Sequence, residues 1–248
     1  MIPFLAFKEY LEKDCSDCNE IEKKLLQNLC SVYYNASCAG FHFEPYLLIV
    51  LEKIFNEKIC KEHPLFADIK NIDKLSLLSC KSTIRTLHDN YSTKLYSKGE
   101  MTKFNLHKYL DDPFTAFFMP EKDAGPDLVY TIEFEAPGGI VEVPIFLQAK
   151  LWKNSPSENA IFTLRKKKTP QLKIELKEKV INCLRTKYHK AHEHGLSWIR
   201  FLVVYPAEFD KKSSHYICNP GTAEVNELLI IIDSSNASQV LELMYRMQ

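Results

Sequence analysis

A chain of 248 residues, 46% apolar and 26% charged, is long enough to bury a full hydrophobic core as one large domain or two small ones. Its 32 basic residues balance 32 acidic ones, so no global charge marks it for nucleic acid, and any such contact has to be a local patch. The longest apolar candidate for a membrane span, Tyr46 to Ile54, is broken by Glu52 and Lys53, and no membrane association is expected.

Met1-Ile2-Pro3-Phe4 lacks the basic stretch, apolar run and small-residue cleavage site of a secretory signal. The first third reads as helical. Ile21 to Tyr33 carries Leu25, Leu26, Leu29 and Val32 at helical spacing, and Tyr46 to Phe55 repeats the pattern more densely. Residues 1–38 are expected to form an N-terminal helical extension to a domain spanning 39–248. Lys61 to Lys98 is polar with short apolar groups, as in small helices and loops. Eight cysteines are scattered, and the one CxxC, at Cys15 and Cys18, has no partner motif at zinc-finger spacing. They read as reduced thiols in an intracellular setting. His189, His192 and His194 have ligand-like spacing but stand at the basic end of a predicted helix, where His and Lys suit the dipole.

From Phe114 the texture changes. Phe114 to Met119 reads as a short strand. Asp127 to Glu135 alternates, with Leu128, Tyr130, Ile132 and Phe134 on one face. Ala136-Pro137-Gly138-Gly139 is a turn signal, and Ile140 to Lys150 alternates again through Val141, Val143, Ile145 and Leu147. Folding this hairpin about its turn, with Glu135 opposite Ile140, brings both apolar sets to one face and sets Asp127 across from Gln148. Lys150 falls on the same strand face as Gln148. Glu142 shares that face but lies about 20 Å away at strand rise.

Three polar side chains thus converge at one end of a hairpin. A carboxylate there can hold a divalent cation together with a side-chain oxygen from Gln148 and the Ala149 carbonyl, the oxygen donors that Mg²⁺ or Mn²⁺ favours. Such a cation acidifies a bound water and polarises a phosphodiester, while Lys150 orients the water or meets the charge that builds on phosphorus. A lysine serving only as a solvated strand-end cap could be changed to Met at little cost in stability, and if the site hydrolyses phosphodiesters Lys150→Met is expected to leave fold and metal binding nearly intact.

Further along, Thr169-Pro170 is an N-cap with Pro at the first helical position, opening a long helix from Gln171 to His194 that Gly195 stops. Ser197 to Tyr205 and Glu227 to Asp233 read as buried strands. Ser234 or Ser235 caps a closing helix, Ser238 to Met247.

Gly125-Pro126-Asp127, the hairpin and Gln148-Ala149-Lys150 resemble the PD-(D/E)XK nuclease superfamily in its QxK variant, used also by Mrr-type restriction enzymes. Ala39-Gly40-Phe41-His42-Phe43-Glu44 is similar to the segment that opens the nuclease-like domain of Crinkler and RHS-type proteins. Gly195-Leu196-Ser197-Trp198-Ile199-Arg200-Phe201-Leu202-Val203-Val204-Tyr205-Pro206 resembles their late strand. The ordered set spans Ala39 to Pro206. The resemblance implies an α/β fold with a restriction-endonuclease-like αβββαβ core and a mixed sheet. It also implies Asp127 and Gln148 at a Mg²⁺ (or Mn²⁺) ion, Lys150 at the water and Glu44 as an outer carboxylate. Gln148 stands where the commoner pattern has an acid, and Pro45 fixes Glu44 at its helix start.

The implied activity is metal-dependent DNA endonuclease action in an effector or toxin-like protein working in a nucleus, that of a host cell included. The basic run Arg165-Lys166-Lys167-Lys168, supported by Lys173, Lys177 and Lys179, is the candidate for sequence-independent phosphate contacts with DNA. The alternative is a catalytically inactive module that keeps the nuclease scaffold and binds a protein partner or nucleic acid. No GxxxxGK[ST] phosphate loop occurs in the chain.

Overall fold

The computed structural model describes residues 47, 50–51, 54–55, 58–67, 69, 71–85, 106–113, 117–120, 126–152, 170–206, 208, 214–217 and 226–240. In chain order the strands are β1 (Lys58–Ile59), β2 (Lys81–Ile84), β3 (Phe117–Phe118), β4 (Leu128–Ala136), β5 (Gly139–Trp152), β6 (Trp198–Pro206), β7 (His215–Ile217) and β8 (Glu227–Ile232). The α-helices are α1 (Pro64–Ala67), α2 (Leu106–Asp111), α3 (Pro170–Thr186) and α4 (His189–Glu193).

The fold is α/β, built on one mixed sheet in the order β1-β2-β4-β5-β6-β8-β7, with β3 also pairing β4. β5, β6 and β8 run parallel to their neighbours among these three, and the remaining pairs are antiparallel. Parallel neighbours need a crossover, which α3 and α4 supply between β5 and β6.

The β4–β5 hairpin has the register its alternation predicts, Glu135 opposite Ile140 and Leu128 opposite Leu147. Its turn is tighter than the four-residue signal implies, because Ala136 pairs with Gly139 and leaves Pro137-Gly138 as the loop. Proline fixes its own φ, and Gly138 takes φ 104°, the sign that the glycine of a type II turn requires.

Both faces of β4 and β5 are buried near their middles. Ile145, Leu147 and Phe201 lie on one face, in the same buried core as the helical residues Leu47, Val50, Leu51, Ile54 and Phe55, and the Phe55 ring lies 5.8 Å edge-on from Phe201. Their spacing is that of one helix stripe, as the sequence predicts for Tyr46 to Phe55. On the other face Phe146 packs edge-on against Trp198 at 4.7 Å. There the end of α3 is seated: Lys187 lies within the field of Glu142, and burial is the main influence lowering its pKa.

The predicted helix from Gln171 to His194 is interrupted at Lys187 and Tyr188, between α3 and α4. No Gly or Pro marks the break. Tyr188 is buried and donates its hydroxyl to the Leu110 carbonyl at 3.1 Å, while Lys187 Nζ donates to the Asp111 carbonyl. Anchorage to the end of α2 redirects the chain in place of a local breaker. Gly195 does stop α4 as expected. At φ 80° it donates to His192 O, and Leu196 donates to Ala191 O, both at 2.9 Å, the paired bonds of a Schellman cap.

The remaining differences are in short elements. The first predicted strand, Phe114 to Met119, is reduced among its described residues to β3, and β1, β2, β7 and α2 went unforeseen. Asp233 follows β8 rather than ending it, and its Oδ1 accepts the Ser235 N–H at 2.9 Å. The predicted helix Ile21 to Tyr33, the N-terminal extension and most of the closing helix lie outside the described residues. Of its described part, Ala237–Gln239 forms a 3-10 turn. No helix among the described residues is long and apolar enough to cross a membrane.

Candidate active site

Asp127 sits one residue before β4, at a bend following the buried Pro126. Regular pairing of the hairpin ends at Leu128 and Leu147. Beyond it the Asp127 N–H donates to the Leu147 carbonyl at 2.8 Å, a bond displaced by one residue from the ladder. The bend turns the Asp127 carboxylate toward β5. Its Oδ2 accepts the Ala149 N–H at 2.8 Å and the Lys150 ammonium at 3.3 Å. A carboxylate therefore continues the hydrogen bonding where the β4 backbone has turned away.

The three residues differ in exposure in a way that suits distinct tasks. The side chains of Asp127 and Lys150 are 24% and 27% exposed, open to a ligand from solvent. Gln148 is buried, at 8% exposure. In the sheet register Gln148 aligns with Leu202, and Leu202 with Ile231, so the amide shares a row with two members of the apolar cluster Leu202, Val204, Leu229 and Ile231. Lys150, two residues on, aligns with Val204. The site thus lies at the carboxyl end of β5, beside a parallel neighbour, where open α/β sheets commonly place ligands.

The oxygen donors near this strand end are of the type a hard divalent cation takes. Both described donors to Asp127 converge on Oδ2, so Oδ1 lies outside that pair. An extended residue projects its N–H and C=O to the same side of its strand. Ala149, whose N–H meets Asp127, therefore turns its carbonyl to the same edge. Asp127 Oδ1, the Ala149 carbonyl and the Gln148 amide oxygen are donors of the type Mg²⁺ accepts alongside water, and they are the atoms that would have to converge to hold it. Among the described residues no three His, Cys, Asp or Glu side chains gather as a metal group. Among the described residues the bonds shown at this place involve one carboxylate, that of Asp127.

Other candidate residues fall elsewhere. Glu44 and the basic run Arg165 to Lys168 lie outside the described residues. Glu142 belongs to a separate network, where Arg85 reaches it at 3.1 Å and Glu133 at 3.8 Å. Those two carboxylates face each other across the hairpin, a repulsive pairing that the Arg85 guanidinium offsets. Sequence reading missed this clamp because Arg85 is distant in the chain and follows a strand too short and polar to be recognised.

The histidines take separate bonds. His189 Nδ1 is 3.1 Å from the Thr186 carbonyl, and His192 Nδ1 is 2.8 Å from Ser197 Oγ. Cys60, Cys80 and Cys183 are free thiols. Burial pushes the Cys60 thiol up to about 12, despite a bond to Ser82 Oγ, so it presents no thiolate at neutral pH. Asp233, just past β8, is buried, with its Oδ1 turned to Ser235. Comparison of the chain with family models, curated proteins and solved structures finds no match.

Proposed function

We propose that this chain is a metal-dependent DNA endonuclease domain of the PD-(D/E)XK kind, hydrolysing phosphodiesters with Mg²⁺ or Mn²⁺ held by Asp127, Gln148 and the Ala149 carbonyl. The observation that carries the reading is the convergence of the Asp127 carboxylate with Ala149 and Lys150 at the carboxyl end of β5. The element order supports it. With β1, β2, α1 and α2 set aside, the helical residues Leu47, Val50, Leu51, Ile54 and Phe55, then β3, β4, β5, α3 and β6, antiparallel up to β5 and parallel at β6, are compatible with a restriction-endonuclease-like αβββαβ order. On the same reading Glu44 is an outer carboxylate at the metal, and Arg165, Lys166, Lys167 and Lys168 contact DNA phosphates without reading sequence. The chain then acts as a Crinkler-type effector or toxin-like protein in a nucleus.

The cation, when bound, supplies Lewis-acid polarisation of the phosphodiester and a more acidic water. Asp127 would hold the cation through Oδ1, the carboxylate oxygen that neither the Ala149 N–H nor Lys150 engages. Lys150 directs its ammonium to the scissile phosphate, where positive charge counts most in the transition state. Gln148 adds a neutral donor, so affinity is lower than with a second carboxylate.

The test is supercoiled plasmid incubated with purified protein in Mg²⁺, Mn²⁺ or EDTA, beside Asp127→Ala. Nicking is expected with either metal, none with EDTA and none with Asp127→Ala; equal nicking by Asp127→Ala would refute the assignment. Gln148→Glu is expected to tighten the metal, read as a larger rise in melting temperature at fixed Mn²⁺. Unchanged or weaker binding would remove Gln148 from the ligand set.

A second reading is a catalytically inactive module binding a protein partner or nucleic acid through the same scaffold. The observation favouring it is that Asp127 already completes the hairpin's hydrogen bonding, a structural task that needs no metal. Wild-type protein that cleaves plasmid with neither metal would decide for this reading.

A further inference from the structure

The Lys150 ammonium and a divalent cation need the same carboxylate. Lys150 Nζ lies 3.3 Å from Asp127 Oδ2, the oxygen already held by the Ala149 N–H. Both side chains are about one quarter exposed, so the pair is desolvated enough to matter and open enough to exchange. Gln148 contributes no charge to the place, and no other acidic side chain completes a three-member metal group among the described residues. Among the described residues the carboxylate bonded at this site is that of Asp127, and Lys150 pairs with it.

From this we infer that Lys150 is an internal competitor for the metal place: its ion pair with Asp127 holds cation affinity down, and it has to swing away for a cation to settle. The inference rests on the reading of Asp127 as the metal carboxylate. Two effects act in the same direction. The incoming cation must break or share the Asp127–Lys150 pair, and it must tolerate an ammonium within a few ångströms of a double positive charge. A phosphodiester offers Lys150 a second anion, so substrate would relieve both effects at once. The lysine then does more than act on the transition state: it makes metal loading wait for a phosphate group.

The sequence alone gives the opposite expectation, that Lys150→Met leaves metal binding nearly unchanged. Mn²⁺ binding is measured without DNA, by the loss of the free-ion electron paramagnetic resonance signal. The proteins are wild type, Lys150→Met, Lys150→Arg and Asp127→Asn, each checked for unchanged far-UV circular dichroism. Lys150→Met should bind Mn²⁺ roughly three- to ten-fold more tightly than wild type. Lys150→Arg should stay close to wild type, since arginine keeps the charge and can hold Asp127, and Asp127→Asn should lose binding. If Lys150→Met binds no more tightly than wild type while Asp127→Asn loses the metal, the competition is disproved and the metal site stands. If Asp127→Asn binds as wild type does, or if none of the four proteins binds Mn²⁺, the metal site and the inference fall together.

Discussion

Lys150→Met is expected to lower plasmid nicking at least about ten-fold, while the same change tightens Mn²⁺. Opposite signs in one variant make this a demanding result. The ammonium pairs with Asp127 in the resting site, and its removal frees that carboxylate for a cation. In the proposed nuclease the same charge would be worth most at the scissile phosphate as negative charge builds, so its loss would raise the barrier although the metal is held better. A purely structural lysine would change neither measurement, because the side chain is partly exposed at a strand end and its one described ion pair is replaceable by water. A lysine needed only to bind DNA would raise KM and spare kcat, whereas the proposed role lowers kcat at saturating plasmid. Undiminished nicking by Lys150→Met would expose a contaminating nuclease, and the catalytic reading would go with it.

Sequence and structure agree best where local chemistry decides. The hairpin register was legible because two independent signals coincide: strict alternation on both arms, and a Pro-Gly turn whose backbone preference fixes the loop. The register holds to Leu128 and Leu147. What alternation could not show is the bend at Asp127, which ends the ladder one residue early and points the carboxylate at Ala149 and Lys150. Periodicity places a side chain on a face; it does not report which backbone group that side chain will satisfy. Gly195 was legible for the same local reason, since a helix stop needing positive φ selects glycine.

Where tertiary contact decides, the sequence was silent. The break at Lys187 and Tyr188 has no breaker residue, and it exists because two side chains reach carbonyls at the end of α2. β2 is four residues, Lys-Ser-Thr-Ile, with only Ser82 and Ile84 turned inward. Ser82 Oγ lies 2.9 Å from the carbonyls of Phe55 and Lys58, a polar contact inside the core that no hydrophobic pattern predicts. Arg85, at the end of that strand, joins Glu133 and Glu142 only after the sheet has assembled.

Phe201→Ala is expected to produce the largest loss of stability, about 3–5 kcal/mol by urea denaturation, as for deletion of a fully buried aromatic ring. Phe201 is completely buried, aligned with Leu147 across β5 and β6, and capped edge-on by Phe55. Its removal leaves a cavity between the central parallel strands and the helical residues Leu47, Val50, Leu51, Ile54 and Phe55, where neither the sheet ladder nor the helix stripe can easily close in. The contrast is Ile140→Ala at the hairpin tip, 49% exposed, which should change stability by less than about 0.5 kcal/mol. The core change also reaches the site through a short path. Leu147, the alignment partner of Phe201, supplies the carbonyl that holds the Asp127 N–H, and Gln148 follows it in the strand. Residual folded Phe201→Ala should therefore bind Mn²⁺ more weakly than wild type, while Ile140→Ala binds it equally. A loss below about 1 kcal/mol for Phe201→Ala would mean that the helical residue Phe55 does not seat on this face of the sheet. The layer behind Asp127 would then have to be reassigned.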